Sequence, residues 1–287
     1  MKRLVMAVTF SMLGLATAGE PWVYLDNGQV RLGVNLAAGA CVGWFSASGS
    51  TDNVLNAYDA GRYVQQSYYG DADGSDWNGK PWRYNPVQGG SWRNEPSVVL
   101  ESKVEKESLY AKIRPRHWAT GQLLDEVMME EWLRLDGARA RLKFRMTYTG
   151  AKAHTPRHQE LPALFVRSSL DTLVFVDAEK KLTRGQPGFP NEYVKLGEPW
   201  AAWVDGSGRG VGIWCPHAQE ATCYRVRNGD KGDCSYLAPL QTFALQPGLV
   251  FEYEAVLMIG SVEEMRDAFR RLAVQPRGSG SKVSSCK

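Results

Sequence analysis

Residues 123–148, LLDEVMMEEWLRLDGARARLKFRMTY, contain the clearest β-hairpin pattern of the chain. Apolar and polar residues alternate along Leu123–Leu135 and along Ala138–Tyr148, and Asp136-Gly137 separates the two runs. This pattern predicts two antiparallel strands joined by a two-residue turn, with one apolar face and one basic, solvent-exposed face. The predicted pairs on the apolar face are Leu135 with Ala138, Leu133 with Ala140, Glu131 with Leu142, and Met129 with Phe144.

The same two-residue period recurs through most of the chain, and the residues 22–36 predict a further hairpin around Asp26-Asn27-Gly28. Further strands are predicted at Glu160–Arg167, Trp200–Val204, Gly210–Trp214 and Phe251–Ile259. Many strands with short turns are typical of an all-β protein, here a large antiparallel β-sandwich.

One short C-terminal helix is predicted at Ser261–Leu272. Ser261 and Glu264 form a capping box, and Met265, Phe269 and Leu272 lie on one stripe. No internal repeat or linker divides the chain, so we expect a single β-sandwich catalytic domain over residues 19–276, followed by a flexible tail over 277–287.

The N-terminus has the pattern of a secretory signal peptide over residues 1–18. Lys2 and Arg3 precede an apolar run, and small residues end it at Ala18. We therefore expect cleavage near Ala18 and export to the periplasm or the medium. No later apolar run is long enough to cross a membrane, so no membrane insertion is expected. Loss of Lys2 and Arg3 removes two of the three net positive charges, which leaves no reason to expect a nucleic-acid partner.

The five cysteines, Cys41, Cys215, Cys223, Cys234 and Cys286, lie in the part of the chain expected to be exported. Disulfides persist in that environment, and a hairpin disulfide between Cys223 and Cys234 is predicted around Asn228-Gly229. A zinc site at Cys215, Cys223 and Cys234 is the weaker interpretation, because the chain has no CxxC pair. We expect no metal and no cofactor.

Residues 56–92, NAYDAGRYVQQSYYGDADGSDWNGKPWRYNPVQGGSW, combine three Trp and five Tyr with amides, carboxylates and guanidinium groups. Such a mixture suits a sugar, whose ring has apolar C–H faces and a rim of hydroxyl groups. On an extended segment Arg62, Gln66 and Tyr68 share one face, and Gln65 and Tyr69 share the other. The predicted substrate-binding residues are Arg62, Gln65, Gln66, Tyr68, Tyr69, Trp77, Trp82, Tyr84, Gln88 and Trp92.

Three segments resemble the galactose mutarotase-like β-sandwich, which aldose epimerases share with several glycoside hydrolases and some polysaccharide lyases. These segments are LDNGQVRLGVNLAAGACVGWFSASGSTDNVLN (25–56), GVGIWCP (210–216) and LQPGLVFEYEAVLMIG (245–260). The resemblance implies the large sandwich called a supersandwich and a carbohydrate substrate. It also implies a His acid and a late Glu base, but no matching Glu precedes Pro247-Gly248, and only His158 lies near the expected His position. A polysaccharide-acting relative is therefore favoured over a plain mutarotase.

Four residues are candidates for acid–base chemistry. His158 and Glu160 alternate on a predicted strand and so share a face, while Asp59 and Asp73 come from the aromatic block. Asp71, Asp73 and Asp76 are expected to form a solvated loop, with calcium binding as the less favoured alternative. Glu131, on the apolar hairpin face, is a further candidate for a general acid.

These residues predict an exported glycoside hydrolase that uses Glu160 with Asp59 or Asp73, assisted by His158, on a polysaccharide or oligosaccharide. A polysaccharide lyase is the alternative, with Tyr68 or His158 as base and Arg62 and Gln66 neutralising a uronate carboxylate. A glycan-binding protein without catalysis is the third hypothesis. The oligomeric state is not predicted.

Overall fold

A computed structural model describes residues 21–274. The predicted signal peptide, the predicted tail and Cys286 lie outside the described residues. The strands, in chain order, are β1 (Trp22–Asp26), β2 (Val30–Asn35), β3 (Cys41–Ala47), β4 (Gln65–Ser67), β5 (Ala72–Trp77), β6 (Lys80–Arg83), β7 (Pro86–Val87), β8 (Val98–Val104), β9 (Ser108–Arg114), β10 (Arg116–His117), β11 (Val127–Asp136), β12 (Arg139–Tyr148), β13 (Arg157–Arg167), β14 (Thr172–Val176), β15 (Leu182–Gly185), β16 (Glu192–Lys195), β17 (Trp200–Val204), β18 (Arg209–Trp214), β19 (Glu220–Val226), β20 (Cys234–Phe243) and β21 (Leu249–Ser261). The helix α1 (Val262–Val274) follows directly.

Two large antiparallel sheets form the predicted sandwich. One has nine strands in the order β15-β14-β17-β18-β21-β12-β11-β9-β8, and the other has seven in the order β10-β7-β4-β13-β20-β19-β16. Phe144 and Leu133 of the first sheet and Leu164 and Leu237 of the second belong to one buried cluster, which fills the space between the sheets. Smaller sheets, β1-β2-β3 and β5-β6, complete the fold.

The hairpin of β11 and β12 has the predicted faces but a different register. The turn residues are Gly137 and Ala138, so Asp136 pairs with Arg139 and Leu135 with Ala140. Gly137 has a φ of 57°, which suits glycine at the first central position of a tight hairpin turn. The predicted pairs were therefore wrong by two residues. A shift of two keeps every side chain on its face, so the apolar side still forms the core.

The predicted capping box is confirmed at the start of α1. The Glu264 N–H donates to Ser261 Oγ at 3.2 Å, and the Ser261 N–H donates to Glu264 Oε2 at 2.7 Å. Met265 and Phe269 pack with Trp200 on the face of the nine-stranded sheet that points away from the sandwich core. The helix therefore covers the part of that face formed by β17, β18 and β21, and it does not cover the outer side of the seven-stranded sheet. No helix within residues 21–274 combines the length and apolar character needed to span a bilayer.

The predicted disulfide between Cys223 and Cys234 is absent, because Cys41, Cys215, Cys223 and Cys234 are all free and buried. Cys223 lies opposite Leu237 on β20, while Cys234 lies opposite Val226. An offset of three positions puts the two thiols on opposite faces of the sheet, so they cannot join. Among the described residues no group of three or more His, Cys, Asp or Glu side chains could hold a metal ion.

Candidate functional site

Strand β4 divides the aromatic block between two faces of the seven-stranded sheet. Gln66 and Tyr68 point into the sandwich core, where Tyr68 Oη donates to Gln66 Oε1 at 2.9 Å and Gln66 Nε2 donates to the Glu130 carbonyl at 3.2 Å. Ser67 and Tyr69 point to the opposite, outer face and line a cavity there. The predicted alternation is correct for Gln66 and Tyr68 against Gln65 and Tyr69, but it was wrong for Arg62, which precedes β4 and lines the cleft. Gln66 and Tyr68 cannot contact a ligand on the outer face.

Tyr84 and Gln88 are also buried away from that cavity, contrary to their predicted role as substrate contacts. Tyr84 Oη donates to Glu126 at 2.7 Å, and the ring stacks on His154 with centroids 4.9 Å apart. Gln88 Nε2 donates to the Gly39 carbonyl and to Glu131 Oε2, each at 3.0 Å. Both side chains satisfy buried polar groups and hold the fold together.

The outer face of the seven-stranded sheet contains a cleft of about 450 Å³. Tryptophan side chains from three segments form part of its wall, and strands β13, β19 and β20 contribute Glu160, Tyr224 and Tyr236. Of the predicted site residues, the cleft brings together Asp59, Arg62, Gln65, Tyr69, Trp77, Trp82, Trp92 and Glu160. Residues far apart in the sequence therefore meet at one surface.

Glu160 is the partly buried carboxyl group of this cleft. It accepts hydrogen bonds from the hydroxyl groups of Tyr236, Tyr69 and Ser67. Burial raises the pKa of Glu160, although these hydrogen bonds act in the opposite direction. The pairing of β13 with its neighbours also shifts register just after Glu160, and such irregularities occur often beside active sites. A carboxyl group with a raised pKa and an open cavity beside it can both donate and accept protons.

Gln159 fixes Tyr69 against Glu160 and was missed by the sequence analysis. Its Oε1 accepts from the Tyr69 N–H at 2.6 Å, and its Nε2 donates to the Tyr69 carbonyl at 3.0 Å. Nε2 also donates to the Phe243 carbonyl at 3.0 Å, so the buried amide ties three strand regions together. The sequence signal that could have identified Gln159 was an amide side chain between His158 and Glu160, at the strand position that faces the core.

Four tryptophans, of which Trp118 was not predicted, form the aromatic wall of the cleft. Trp77 lies edge-on to Trp82 and Trp118, with ring centroids 4.7 Å and 6.0 Å apart. Trp82 Nε1 donates to Asn85 Oδ1 at 3.2 Å, and Trp92 Nε1 donates to the Ala119 carbonyl at 3.0 Å. Trp118 lies outside the aromatic block in sequence, and no local pattern marked it.

Asp59 and Arg62 form an ion pair at the cleft. Burial raises the pKa of the Cys234 thiol, and the nearby Arg62 guanidinium acts in the opposite direction. Gln65 lines the cleft, but Nε2 donates to the Gly61 carbonyl at 2.7 Å and Oε1 accepts from the Gly89 N–H at 2.7 Å. Gln65 therefore shapes the wall, because its amide is already occupied by the backbone.

His158 and Asp73 do not line the cleft. His158 is exposed and lies edge-on to Tyr193 at 5.7 Å, although it alternates with Glu160 around the buried Gln159 as predicted. Asp73 Oδ2 instead bonds His117 Nε2 at 2.8 Å.

Asp71, Asp73 and Asp76 lie on or beside the β5–β6 hairpin, which replaces the predicted solvated loop. Asp71 accepts hydrogen bonds from the Thr155 hydroxyl, the Thr155 N–H and Arg157, and these contacts lower the pKa of Asp71 to about 2. Asp76 accepts from the Gly79 N–H at 2.7 Å in the hairpin turn. Each of these carboxylates is thus hydrogen-bonded to other residues of the fold.

Glu131 is fully buried between the sheets, as its predicted position on the apolar hairpin face implies. Burial raises its pKa to about 8, and the hydrogen bond from Gln88 only partly offsets this effect. Its Oε1 has no hydrogen-bond partner among the described residues. Glu131 lies outside the cleft lining, so it has no place in chemistry there.

No protein-family model matches this chain, and no curated protein is significantly similar in sequence. Solved structures do match. A galactose mutarotase related enzyme from Lactobacillus acidophilus superposes with a TM-score of 0.55 at 10% identity, covering 84% of this chain and 97% of that one. A galactose mutarotase-like protein from Lactobacillus casei gives 0.54 at 10% identity, covering 83% and 100%. The α-galactosidase from Lactobacillus brevis gives 0.54 at 9% identity, covering 89% of this chain and 43% of that one. The chain therefore has the galactose mutarotase-like β-sandwich fold.

Proposed function

We propose that this protein is a carbohydrate-active enzyme that cleaves glycosidic bonds in a polysaccharide or oligosaccharide. The observation that carries the proposal is Glu160, a carboxyl group with a raised pKa in a cleft walled by four tryptophans. The likeness to sugar-processing enzymes in fold is consistent with it, but at such low identity the argument rests on the cleft itself.

The cleft supplies the two components that glycoside cleavage requires. Tryptophan rings bind the apolar faces of sugar rings. Glu160, whose pKa is raised by burial, is the candidate for donating a proton to the glycosidic oxygen as the bond breaks. Asp59 is the second carboxyl group among the described residues that line the cleft. It is the candidate for activating water or stabilising the positive charge that develops on the sugar.

Neither residue predicted as the base of a lyase is available in the cleft, because Tyr68 is buried in the core and His158 lies outside the cleft. Tyr69 does lie in the cleft. Burial, followed by the charge of Glu160, raises the pKa of Tyr69 well above its usual range, so forming a phenolate near neutral pH is costly. Proton transfer by Glu160 is therefore favoured over proton abstraction by a tyrosine.

The test is mass spectrometry of the products formed from a broad panel of polysaccharides, with wild type, Glu160→Gln and a Glu254→Gln control. Glu254 is exposed on β21 of the other sheet. We expect products that carry an added water, no product from Glu160→Gln, and wild-type yields from the control. Products lacking that water would establish a lyase instead, and full turnover in Glu160→Gln would refute the role of Glu160.

Glycan binding without catalysis is favoured by the same tryptophans, and a second pair of variants tests it. Trp82→Ala should weaken glycan binding by roughly tenfold, because a stacking platform is lost. Trp132→Ala is the matched control, since Trp132 lies on β11 outside the cleft. Loss of binding in Trp82→Ala, with no product from any glycan, would establish a binding protein.

We further propose that the protein is exported, on the basis of residues 1–18 of the sequence. The test is N-terminal sequencing of the protein recovered from the periplasm and the medium. A mature N-terminus near Gly19 supports export, and an intact Met1 in a cytoplasmic fraction refutes it.

A further inference from the structure

The β5–β6 hairpin carries two of the four cleft tryptophans, Trp77 and Trp82, and it forms a sheet of its own beside the two large sheets. A lone two-stranded hairpin is only marginally stable in water, so its position depends on contacts with the rest of the fold. We call residues 71–84 the arm. Two buried histidines, His117 and His154, each 4% exposed, contact the arm near its base.

His117 connects the arm to the turn that carries Trp118. Its Nε2 lies 2.8 Å from Asp73 Oδ2 on β5, while its Nδ1 accepts from the Ala119 N–H at 3.1 Å and from the Thr120 N–H at 3.3 Å. Because the lone pair of Nδ1 faces two N–H donors, the proton of the neutral ring resides on Nε2, which donates to Asp73. One imidazole thus fixes both the arm and the neighbouring turn.

The same turn also holds the fourth tryptophan of the wall. Trp92 Nε1 donates to the Ala119 carbonyl at 3.0 Å, and the Trp92 N–H donates to the Trp118 carbonyl at 3.1 Å. The arm therefore depends on the contact made by Nε2 of His117, and Trp92 and Trp118 depend on the turn that its Nδ1 fixes.

His154 supports the base of the arm in the same protonation state. Its Nδ1 accepts from the Asp71 N–H at 3.1 Å, and its Nε2 lies 3.4 Å from Tyr148 Oη, whose own proton is donated to the Lys152 carbonyl at 2.8 Å. A proton on Nε2 satisfies both contacts of the ring. The ring also stacks on Tyr84, with centroids 4.9 Å apart. His154 therefore contacts the first and the last residue of the arm.

Two carboxylates face the rings from the arm, and both stay charged at mildly acidic pH. Hydrogen bonds, first among them that of the Thr155 hydroxyl, lower the pKa of Asp71 to about 2. Burial acts to raise the pKa of Asp73, but hydrogen bonds from Ser75 and from His117 lower it below its usual value. The negative charge of these aspartates favours the protonated form of the imidazoles.

The other surroundings of the rings favour the neutral form or are themselves neutral. Burial, followed by the charge of Lys152, lowers the pKa of His154, although the two aspartates act in the opposite direction. Arg157 on β13 forms an ion pair with the first residue of the arm. Glu126 is a further carboxylate of this region, where it accepts from Tyr84 Oη at 2.7 Å. The balance between these groups and the aspartates decides when the rings are protonated.

Protonation changes Nδ1 from an acceptor into a donor. In the imidazolium form, Nδ1–H of His117 would face the Ala119 and Thr120 N–H groups. Nδ1–H of His154 would likewise face the Asp71 N–H. A buried N–H group that loses its acceptor is destabilising, so the protonated rings are incompatible with the observed positions of the arm and the turn.

We propose that His117 and His154, in their neutral form, position the tryptophan wall, and that their protonation releases the arm and lowers glycan affinity at acidic pH. Neither ring lines the cleft, so both are positioning residues. The loss of glycan affinity rests on the proposed function, whereas the release of the arm does not.

Amide hydrogen exchange of the full chain tests the release of the arm without any ligand. Exchange at pH 7.5 and at pH 4.5 is expressed relative to the intrinsic chemical rate at each pH, with β11 as the internal reference. We expect the protection of residues 71–84 and 118–120 to fall by about tenfold at pH 4.5, while that of β11 is unchanged. Imidazole ¹⁵N spectra at pH 7.5 should show both rings neutral with the proton on Nε2. Equal protection of the arm at both pH values, or a proton on Nδ1 at pH 7.5, would overturn the inference.

Three variants identify the groups that titrate: His117→Asn, His154→Asn and the double variant. The Oδ1 of asparagine can accept a hydrogen bond near the position of Nδ1, but the amide is not protonated in this pH range. His158→Asn is the matched control, because His158 is an exposed histidine outside the cleft. Thermal unfolding verifies that each variant is folded.

The double variant should protect the arm equally at both pH values, each single variant should show a smaller drop than wild type, and the control should retain the full drop. A drop of wild-type size in the double variant would assign the pH dependence to another group, such as Glu126, and would overturn the inference.

Glycan binding is measured by calorimetry in the Glu160→Gln background, which removes the titration of that carboxyl group. The affinity for the glycan identified by product analysis should be about tenfold weaker at pH 4.5 than at pH 7.5, and the double histidine variant should abolish this difference. Equal affinity at both pH values would refute this inference and leave the proposed function standing. Release of the arm at pH 4.5 in a protein that binds no glycan would refute the proposed function, while the positioning role of the histidines would stand.

Discussion

Two glutamates with raised pKa values lie on opposite sheets, and their surroundings differ in every other respect. Glu160 faces the outer cleft and accepts hydrogen bonds from three hydroxyl groups. Glu131 lies between the sheets, where Gln88 is its one hydrogen-bonding side chain among the described residues. The comparison teaches that burial alone does not create an acid–base catalyst. A catalytic carboxyl group also needs a cavity that admits substrate and donors that stabilise its charged form.

The largest expected difference between the two is catalytic. Glu160→Gln should lower turnover by about 10²- to 10⁴-fold, the usual contribution of a general acid or base. Glu131→Gln should leave turnover within about twofold, because no substrate reaches the space between the sheets. Steady-state kinetics on the glycan identified by product analysis tests this pair. Equal losses of turnover in both variants would show that the two glutamates do not differ in their catalytic role.

The second prediction concerns stability. The folded-state pKa of Glu131, about 8, lies above the ordinary value of 4.5 for a glutamate side chain. The stabilisation that the protonated form provides is complete below about pH 4.5 and is lost as the pH rises through 8, a change of at most about 5 kcal/mol.

Urea unfolding between pH 5 and pH 8.5 measures this loss, and Glu131→Gln should flatten the profile because the amide does not ionise. An unchanged pH profile in Glu131→Gln would show that Glu131 is not the group that titrates.

The third prediction sharpens the description of Glu160. Tyr236→Phe removes a hydroxyl that stabilises the carboxylate, so the pKa of Glu160 should rise further and the pH profile of turnover should move to higher pH. Tyr110→Phe is the matched control, since Tyr110 donates to Glu130 at 2.8 Å on the other sheet. A shift to lower pH in Tyr236→Phe would contradict the assigned direction of this hydrogen bond.

The smallest effect is expected at Asp73, a predicted catalytic residue that instead bonds His117. Asp73→Asn should leave turnover within about twofold and cost about 1 kcal/mol of stability, the typical value of one such hydrogen bond. Kinetics and thermal unfolding on the same sample test both numbers. A loss of turnover near that of Glu160→Gln would restore Asp73 to the catalytic group.

Local features of the fold were predictable from the sequence because they depend on neighbouring residues. The alternation in β11 and β12 and the Ser261–Glu264 capping box are confirmed. The predicted position of the turn was wrong by one residue. Asp136-Gly137 and Gly137-Ala138 both place a glycine in a two-residue turn, and the alternation of apolar and polar residues does not distinguish between them.

The site was predictable only in part. Glu160, Asp59 and Arg62 were among the predicted residues that the cleft brings together, while Gln66, Tyr68, Tyr84 and Gln88 proved to be buried elsewhere. The composition of residues 56–92 is the same for a binding surface and for a polar network inside a sandwich. No local sequence pattern indicates which of the two faces of such a strand packs against the other sheet.

The sequence by itself determined the all-β class, the strand periodicity, the helix with its cap, and the aromatic and polar residues available for a site. The tertiary structure decided which of those residues share a surface. Ser67 on β4 pairs with Glu160 on β13, and Trp118 joins the cleft from a third segment. The physical reason is that the pairing of strands about ninety residues apart in the sequence depends on the packing of the whole core. A local sequence pattern carries no information about that packing.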